Sequence, residues 1–372
     1  MRILFTGGGS GGHIFPIIAV KREIDNLVPE EIKSSLFQFL GGKTQETEVL
    51  LKENISFKKI VTVKWRRYFS FKNILDIFKF PISFLQALFK VWLIMPDLIF
   101  SKGGPGSFPV MLVGWLYQIP IVIHESDSVP GSTSKLSSPI ARKIAISFKE
   151  SEDFFPKKHK RKLVLTGNPI RQKLFYGSKE KAIKNFNLNG KRKIILIMGG
   201  SQGSEQINSL FLDALLKYIE KYEIIHICGP NNFKNIDLFT RGALDDAQKV
   251  FYHLYPFLDE EQLADAYQAS DLVISRAGAG AIFELAALEK PSILIPLQGG
   301  AQDHQSKNAQ CFQKYGATIS VEGCNVTPNF VFGRASQILE NKKTLQEMKN
   351  GCKKFAMPDA AKKVATVILE EI

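Results

Sequence analysis

The sequence predicts an α/β protein built from two Rossmann-like, doubly wound domains with a cleft between them. The first observation is an apolar strand at 3–5 that runs into the glycine-rich stretch 7–12 and then into a helix. The second is a loop of the same design at 199–204, after an apolar strand at 193–198. The third is the length of 372 residues, which suits two cores of ordinary size. Glycine loops of this kind let backbone N–H groups approach an anion at a helix N-terminus.

Alternating apolar strands and helical segments predict a parallel sheet in each half. We expect strands at 3–5, 36–40, 57–63, 98–100, 121–124 and 143–146, and then at 193–198, 224–228, 250–252, 272–275 and 292–296. The segment 163–165, preceded by the charged stretch 156–162, is interpreted as the exit from the first domain. The predicted domains are therefore 1–165 and 166–355. A last helix within 356–372 is expected to pack back on the first domain.

The composition is that of a globular protein with a basic excess in its first half. The formal net charge is +13, and residues 1–165 hold 24 lysines and arginines against 14 aspartates and glutamates. We expect no signal peptide, because only three apolar residues follow Arg2 before the glycines. We expect no membrane-spanning segment, because charged residues and prolines interrupt the longest apolar run, 78–100. The four cysteines are irregularly spaced, which argues against a disulfide framework and a zinc site.

The densest basic and aromatic segment lies between Lys64 and Trp92. It holds six basic residues up to Lys90, interleaved with aromatic residues, and a single acid, Asp76. Such a segment is typical of a surface that places rings among lipid headgroups while lysine and arginine meet anionic lipid. We expect membrane contact; a buried helix with a solvated basic face is the alternative, and nucleic acid is not expected because no base-reading motif is present. The residues assigned to this surface are Trp65, Arg66, Arg67, Phe69, Phe71, Lys72 and Phe78.

Two further glycine loops, at 101–107 and 275–280, also follow predicted strands. Ligands of open α/β sheets bind at the carboxyl ends of strands, so four such loops indicate phosphate-type ligands. The first loop fits G-x-G-x-x-G, but the second strand is followed by Gly41-Gly42-Lys43 and lacks the ribose-binding acid of a dinucleotide oxidoreductase. None of these four loops ends in Gly-Lys-Ser/Thr, so none of them is a P-loop.

Six segments resemble, in order and spacing, motifs of the MurG family, the UDP-GlcNAc-dependent glycosyltransferases of bacterial cell-wall synthesis. The matching segments are 6–16, His124-Glu125 with 130–131, 167–171, 199–203, 275–279 with Glu284, and 303–305 with 308–309. The resemblance covers nearly the whole chain. It implies a GT-B fold and inverting transfer of GlcNAc from UDP-GlcNAc to the muramoyl 4-hydroxyl of undecaprenyl-diphospho-MurNAc-pentapeptide, lipid I, which gives lipid II and UDP.

The resemblance also assigns roles to residues of this sequence. The positions assigned to the donor are Ser10, Gly11, Gly12, Asp127, Arg171, Ser201, Leu258, Ala279, Gly280, Ala281, Ile282, Phe283, Glu284 and Gln305. Those assigned to the acceptor diphosphate are Gly11, Gly12, His13, Gly103 and Gly104. The sequence departs from the family at Asp127, where Asn is usual, and at Ala281, where Thr is common. These departures put one amide contact and one hydroxyl contact in doubt.

Two residues are candidates for catalysis. His13 opens the first helix beside glycine N–H groups, where a neutral imidazole is placed to act as a general base; a helix cap is the alternative. Glu125 follows His124 at the end of a predicted strand, where a local hydrogen-bonded pair is the alternative. We expect no metal and no cofactor, because the chain has no Asp-x-Asp pair and helix N-termini after Gly200 and Gly280 can neutralise the departing UDP.

The expected partners are UDP-GlcNAc, lipid I, an anionic membrane surface and other proteins of cell-wall synthesis. The expected location is the cytoplasmic face of the cell membrane, as a peripheral protein. Three other functions remain open: a membrane-docked binding protein without catalysis, a GT-B enzyme that glycosylates diacylglycerol, and a UDP-GlcNAc epimerase. Two intact halves with His13 and Glu284 in place argue against a binding protein. An epimerase has no need of the basic aromatic segment.

Overall fold

The chain divides into two units in a computed structural model. The first unit comprises Met1–Arg171 and Pro358–Ile372, and the second comprises Gln172–Met357. The structure describes residues 1–8, 10–29, 36–42, 47–62, 71–200, 202–297 and 303–372, with the backbone alone at 36, 47 and 71–77. The sequence predicts that the first domain ends at residue 165, whereas the first unit extends to Arg171 and also includes Pro358–Ile372.

The first unit contains a parallel sheet. Its described strands are β1 Arg2–Gly7, β2 Leu36–Gly41, β3 Ser56–Lys59, β4 Leu98–Ser101, β5 Ile121–Glu125, β6 Lys143–Ile146 and β7 Leu163–Leu165. They lie in the order β3-β2-β1-β4-β5-β6-β7. The strand expected at 57–63 is shorter than predicted. The segment interpreted as a domain exit is an edge strand, since β7 pairs in parallel with β6.

Helices cover both faces of this sheet because its central strands are apolar on both sides. The helices up to β6 are α1 Gly11–Leu27, α2 Thr47–Lys52, α3 Phe71–Ile94, α4 Ser107–Leu116 and α5 Ser132–Ser137. Ile3 and Phe5 of β1 pack in a buried cluster with α1, whereas Leu4 points to a second cluster that includes Val91 of α3. The last helix of the chain, Ala360–Leu369, packs on α1 and adds Val364 and Ile368 to the first cluster.

The second unit repeats the design. Its described strands are β8 Ile194–Met198, β9 Glu223–Ile227, β10 Tyr252–Tyr255, β11 Leu272–Ser275, β12 Ser292–Leu294 and β13 Thr318–Ser320, in the order β10-β9-β8-β11-β12-β13. Its helices are α6 Lys179–Asn185, α7 Glu205–Leu212, α8 Leu215–Lys221, α9 Pro230–Ala243, α10 Asp246–Lys249, α11 Glu260–Ala269, α12 Ala279–Ala287, α13 His304–Gln313, α14 Pro328–Glu340 and α15 Lys342–Phe355. The strand β13 was not predicted.

Each sheet reverses its strand order at one pair of strands, and the glycine loops lie there. In the first unit the pair is β1 and β4, which end at Gly7 and Ser101. In the second unit it is β8 and β11, which end at Met198 and Ser275. Open α/β sheets bind ligands at this point because the loops after the two strands diverge and leave a crevice. The four glycine loops found in the sequence are therefore paired, two in each unit.

Candidate active site

In the first unit, the two glycine loops enclose the imidazole of His13. The Gly8 N–H donates to the Gly103 carbonyl at 2.9 Å and joins the loops. A Cβ on Gly8 would lie 2.9 Å from the ring of His13, and a Cβ on Gly104 would lie 3.0 Å from its Nε2. Gly104 also has φ +86°, a conformation that favours glycine. Both loops therefore need glycine to leave room for the ring.

His13 is half-buried in the first turn of α1, and its Nδ1 lies 2.9 Å from the Ser10 hydroxyl. Burial and the nearby ammonium of Lys102 lower the pKa of His13 to about 4, against the opposing effect of the Asp127 carboxylate. The imidazole is therefore neutral at pH 7. A neutral ring nitrogen at the switch point of the sheet can accept a proton from a ligand hydroxyl.

Glu125 ends β5 and is buried. Its Oε1 accepts the N–H of Asp127 and its Oε2 accepts the N–H of Gly131, both at 3.0 Å. Burial raises the pKa of Glu125, as does the charge of Asp127, whereas the hydrogen bonds it accepts from Ser134 and the two backbone groups lower it. Both carboxylate oxygens thus shape the loop 126–131, which carries the half-buried Asp127.

Lys102 is a buried residue of this site. It lies in the glycine loop 101–107, but the sequence alone assigned it no role. Its Nζ lies 2.6 Å from His124 Nδ1, 2.5 Å from Ser126 Oγ and 3.3 Å from Asn168 Oδ1. Its position in the sequence, between the apolar strand β4 and Gly103, could have indicated a site residue. A lysine at the end of a buried strand has to find polar partners, since burying an unpaired ammonium is costly.

Arg171 is the last residue of the first unit before the division and is 8% exposed. Its guanidinium carbon lies 4.5 Å from the ring centroid of Phe15, which follows His13 by two residues on α1. The distance is that of a cation–π contact. The contact with Phe15 places Arg171 beside the first turn of α1. Ser10, Gly11 and Gly12 lie at that turn, and the resemblance assigns them, like Arg171, to the donor.

In the second unit, the loop after β8 turns into α7 through Ser204, whose hydroxyl accepts the N–H of Ile207 at 3.3 Å. Gly203 has φ +80° and lies so close to the carbonyl of Cys228 that a side chain would collide with it. Ser201 lies outside the described residues. The helix expected after Gly280 begins earlier: Gly278 is the N-cap of α12, so Gly280 and Ala281 lie inside its first turn.

Glu284 lies one turn further along α12 and is half-buried. Its Oε2 accepts a hydrogen bond from the hydroxyl of Tyr267 on α11 at 3.2 Å. Tyr267 is fully buried, and its hydroxyl also lies 3.5 Å from the sulfur of Met198 at the end of β8. Sequence reasoning missed Tyr267, because nothing in the pattern of α11 distinguishes it from a core aromatic residue.

The other assigned positions of the second unit contribute in different ways. Ile282 and Phe283 are fully buried, and Ala279 and Leu258 nearly so, which leaves their backbones rather than their side chains for a ligand. Gln305 is half-buried at the start of α13, and its Oε1 accepts the N–H of Leu297 at 2.9 Å.

The membrane residues expected from the sequence lie largely outside the described part of the chain. Trp65, Arg66, Arg67 and Phe69 are not described, and neither are the side chains of Phe71 and Lys72. Phe78 is 70% exposed and begins a series on one face of α3, which we term the α3 apolar face. Its members are all more than half exposed: Phe78, Ile82, Leu85, Phe89 and Trp92. Their spacing places them on one side of a helix whose other side, with Ala87 and Val91, is buried.

None of the helices in the described ranges combines the length and hydropathy that crossing a membrane requires. The α3 apolar face thus belongs to a helix that packs its other face on the sheet.

Two doubly wound domains with paired glycine loops at their switch points are the features of the GT-B fold. Residues 3–146 match the glycosyltransferase family 28 N-terminal domain, and residues 194–364 match the glycosyltransferase family 28 C-terminal domain. The chain belongs to glycosyltransferase family 28.

Curated relatives span almost the whole chain. A protein of Legionella pneumophila strain Paris is 33% identical over 371 residues, covering 99% of this chain and 96% of the relative. A protein of Clostridium tetani is 36% identical over 352 residues, covering 94% and 93%. Both are named UDP-N-acetylglucosamine–N-acetylmuramyl-(pentapeptide) pyrophosphoryl-undecaprenol N-acetylglucosamine transferase.

Solved structures show the same fold. The crystal structure of Acinetobacter baumannii MurG is 24% identical and has a TM-score of 0.73, with 99% of each chain covered. A UDP-GlcNAc 2-epimerase from Neisseria meningitidis bound to UDP-GlcNAc is 16% identical and has a TM-score of 0.68, with both chains fully covered. The fold is thus shared by transferases and epimerases and does not separate these activities.

Proposed function

We propose that this family 28 enzyme transfers N-acetylglucosamine from UDP-GlcNAc to the muramoyl 4-hydroxyl of lipid I, giving lipid II and UDP with inversion at the sugar. The observation that carries the proposal is the 33–36% identity, over nearly the full length, to relatives named for this transfer. The site adds physical support, because each unit offers an anion-binding loop pair and the first offers a neutral imidazole.

His13 is the proposed general base. As the acceptor oxygen bonds to C1 of the donor sugar, the C1–O bond to UDP breaks and the hydroxyl proton passes to His13. The ring is ready for this step because burial keeps it neutral. Glu125 is the weaker candidate, since its two oxygens already accept backbone N–H groups. The acceptor diphosphate is proposed to lie at Gly11, Gly12, Gly103 and Gly104, beside the base.

The second unit is proposed to hold the donor. We assign the UDP diphosphate to the N-terminus of α7, which would stabilise the charge that develops on it. Ser201, in the preceding loop 199–204, is assigned to the donor by the family resemblance. Glu284 accepts hydrogen bonds from the ribose hydroxyls, and Tyr267 holds its carboxylate in place. Leu258 meets the uracil through its backbone, and Gln305 reads the hydroxyls of the sugar. The family resemblance also assigns Arg171, Asp127 and Ser10, which belong to the first unit, to the donor.

The α3 apolar face is proposed to bring the enzyme to the cytoplasmic surface of the membrane as a peripheral protein. Five large apolar side chains exposed on one side of a helix form an apolar patch of the kind that marks a membrane or protein interaction site. The acceptor is held in the bilayer by its polyprenyl tail, so an enzyme that uses it has to approach the headgroups. Exposed Lys79 on the same helix, and the basic residues at 64–72 that precede it, favour anionic lipid.

A turnover assay tests the proposal against its nearest rival. The purified chain is incubated with UDP-GlcNAc, with and without a water-soluble lipid I analogue that carries a short prenyl chain. The proposal predicts UDP release only when the analogue is present. Formation of a UDP-sugar epimer without acceptor would instead establish an epimerase, the activity of the structural relative from Neisseria meningitidis. Binding of UDP-GlcNAc without either product would indicate a binding protein.

A further inference from the structure

We propose that Lys102 is a positioning residue whose ammonium holds the loops of the first unit in the arrangement that binds a diphosphate. The inference rests on the proposed function, which supplies the lipid-linked diphosphate as the ligand. It concerns a residue that is 4% exposed and does not itself reach the surface of the site.

The hydrogen-bond partners of Lys102 suit its protonated form. An ammonium has three N–H donors and no acceptor. Three acceptors surround Lys102 Nζ: His124 Nδ1 at 2.6 Å, Ser126 Oγ at 2.5 Å and Asn168 Oδ1 at 3.3 Å. A neutral amine has two N–H donors and one lone pair, so after loss of a proton the three contacts persist only if Ser126 donates its hydroxyl hydrogen to Nζ. The ammonium thus donates to all three neighbours at once, whereas the neutral amine requires the bond with Ser126 to reverse its direction.

The role of His124 follows from its other nitrogen. His124 Nε2 lies 3.0 Å from the carbonyl of Gly167. A carbonyl only accepts, so Nε2 carries the hydrogen and Nδ1 offers its lone pair to Lys102. His124 is fully buried, and burial together with the charge of Lys102 holds its pKa well below the ordinary value, against hydrogen bonds to backbone groups. His124 is thus a neutral connector rather than a base.

Lys102 and its partners come from three different parts of the chain. Lys102 follows β4, His124 and Ser126 lie at the end of β5, and Gly167 and Asn168 follow β7. The next residue, Gly103, accepts the N–H of Gly8 and so connects this cluster to the loop that precedes His13. One ammonium therefore joins the ends of neighbouring strands to the glycine loops at the switch point.

The charge of Lys102 also acts on His13, the proposed base. A Cβ on Gly7 would lie 3.4 Å from Lys102 Cβ and 3.6 Å from His13 Cβ, so the two residues flank Gly7, and the ammonium lowers the pKa of His13. The titratable groups that act on Lys102 from the neighbouring loops are Glu125 and Asp127, which favour its charged form. Burial outweighs them and lowers the pKa of Lys102 to about 7. A bound diphosphate favours the ammonium, so by linkage its binding should weaken as the pH rises through this value.

Steady-state kinetics with the soluble lipid I analogue test this inference. For the wild type, we expect the acceptor KM to rise roughly five- to tenfold between about pH 6 and about pH 8.5, as expected for losing one favourable charge. Lys102→Met should show a high acceptor KM with no such rise. Lys102→Arg, which stays charged, should keep a lower KM that is independent of pH. Ser126→Ala removes one acceptor only and should raise the KM by an intermediate factor.

Lys162 provides the matched control, because its Nζ also reaches three oxygens, the carbonyls of Ser138, Pro139 and Ala141, away from the glycine loops. Lys162→Met should lower stability without altering the pH dependence of the acceptor KM. The inference is overturned if Lys102→Met retains the wild-type pH dependence, or if the KM for UDP-GlcNAc changes in place of the acceptor KM.

Binding of inorganic diphosphate, measured by calorimetry at the two pH values, separates this inference from the proposed function. Suppose that the wild type shows no turnover but binds diphosphate more weakly at the higher pH, and that Lys102→Met removes this pH dependence. The role of Lys102 is then confirmed, and the proposed function is wrong. If turnover occurs and the difference persists in Lys102→Met, the proposed function stands and the role of Lys102 fails.

Discussion

Replacing Glu284 by alanine tests the donor site most specifically. The carboxylate lies half-buried on α12, with one oxygen already held by the Tyr267 hydroxyl at 3.2 Å. Its removal leaves ligand hydroxyls without an acceptor in the site, which costs about 1–3 kcal/mol. This range corresponds to a roughly 5- to 150-fold weaker Kd for UDP-GlcNAc.

A second substitution separates binding from positioning. Tyr267→Phe keeps the buried ring and removes only the hydroxyl that holds Glu284. Losing one ordinary hydrogen bond of this kind costs about 0.5–1.5 kcal/mol, so the Kd should weaken by roughly 2- to 12-fold. The smaller effect is expected because the carboxylate itself remains available to the ligand.

Isothermal titration with UDP-GlcNAc measures both variants, and thermal unfolding reports whether they remain folded. Glu347→Ala on α15 is the control, since its side chain is 63% exposed and its loss should leave the Kd unchanged. An unaltered Kd for Glu284→Ala, in a protein with normal unfolding behaviour, would remove Glu284 from the site and with it the proposed ribose contact.

Three further predictions address other parts of the molecule. His13→Ala should lower turnover at saturating acceptor by roughly two orders of magnitude or more while the protein unfolds normally; near-normal turnover would reduce His13 to a helix cap. Replacing Leu85 and Phe89 by glutamate should weaken sedimentation with anionic vesicles by about 100-fold or more, because each apolar side chain buried in the membrane contributes about 1.5–3 kcal/mol. Leu238→Glu on α9, where the leucine is more exposed than either of these residues, should have no effect; equal losses would refute a specific face. Burial raises the pKa of Glu223, but hydrogen bonds from His253 and two backbone N–H groups outweigh it and lower that pKa from 4.5. Glu223→Gln should therefore destabilise the fold near neutral pH, and denaturant titrations should show the stability difference from the wild type shrinking as the pH falls below 4.5. A stability difference that grew on acidification would contradict the lowered pKa.

The positions of the glycine loops could be predicted from the sequence because they depend on local features. A strand that ends in glycines and leads into a helix gives the same pattern wherever it occurs, and the switch-point rule then pairs the loops. The strand order itself is a tertiary property. It became visible only when β1 was found beside β4 and β8 beside β11.

Short edge strands were predicted poorly for a physical reason. The segment β7 follows the basic stretch 156–162 and is half-exposed, so its three residues carry little apolar signal. The segment β13 is equally short and contains Thr318 and Ser320. Such strands are recognised by their pairing with a neighbour rather than by their own composition.

The buried polar residues of the site were missed because their roles depend on distant partners. Lysine is rarely buried, so Lys102 reads as a surface residue until its three acceptors are seen. Tyr267 reads as a core aromatic residue, and only the packing of α11 beside the end of β8 shows that its hydroxyl reaches Glu284. Residues assigned by the family resemblance, such as His13, were found at the switch point because their motifs include the loop itself.

The stereochemistry of the product provides the most direct test of the central claim. The enzyme is supplied with UDP-GlcNAc and the soluble lipid I analogue, and the isolated product is examined by proton NMR. We predict one new sugar linkage, from C1 of GlcNAc to the 4-oxygen of the muramoyl residue, with the large anomeric coupling of a β-linkage. An α-linkage, a different acceptor oxygen, or an unchanged acceptor accompanied by an epimerised UDP-sugar would contradict it.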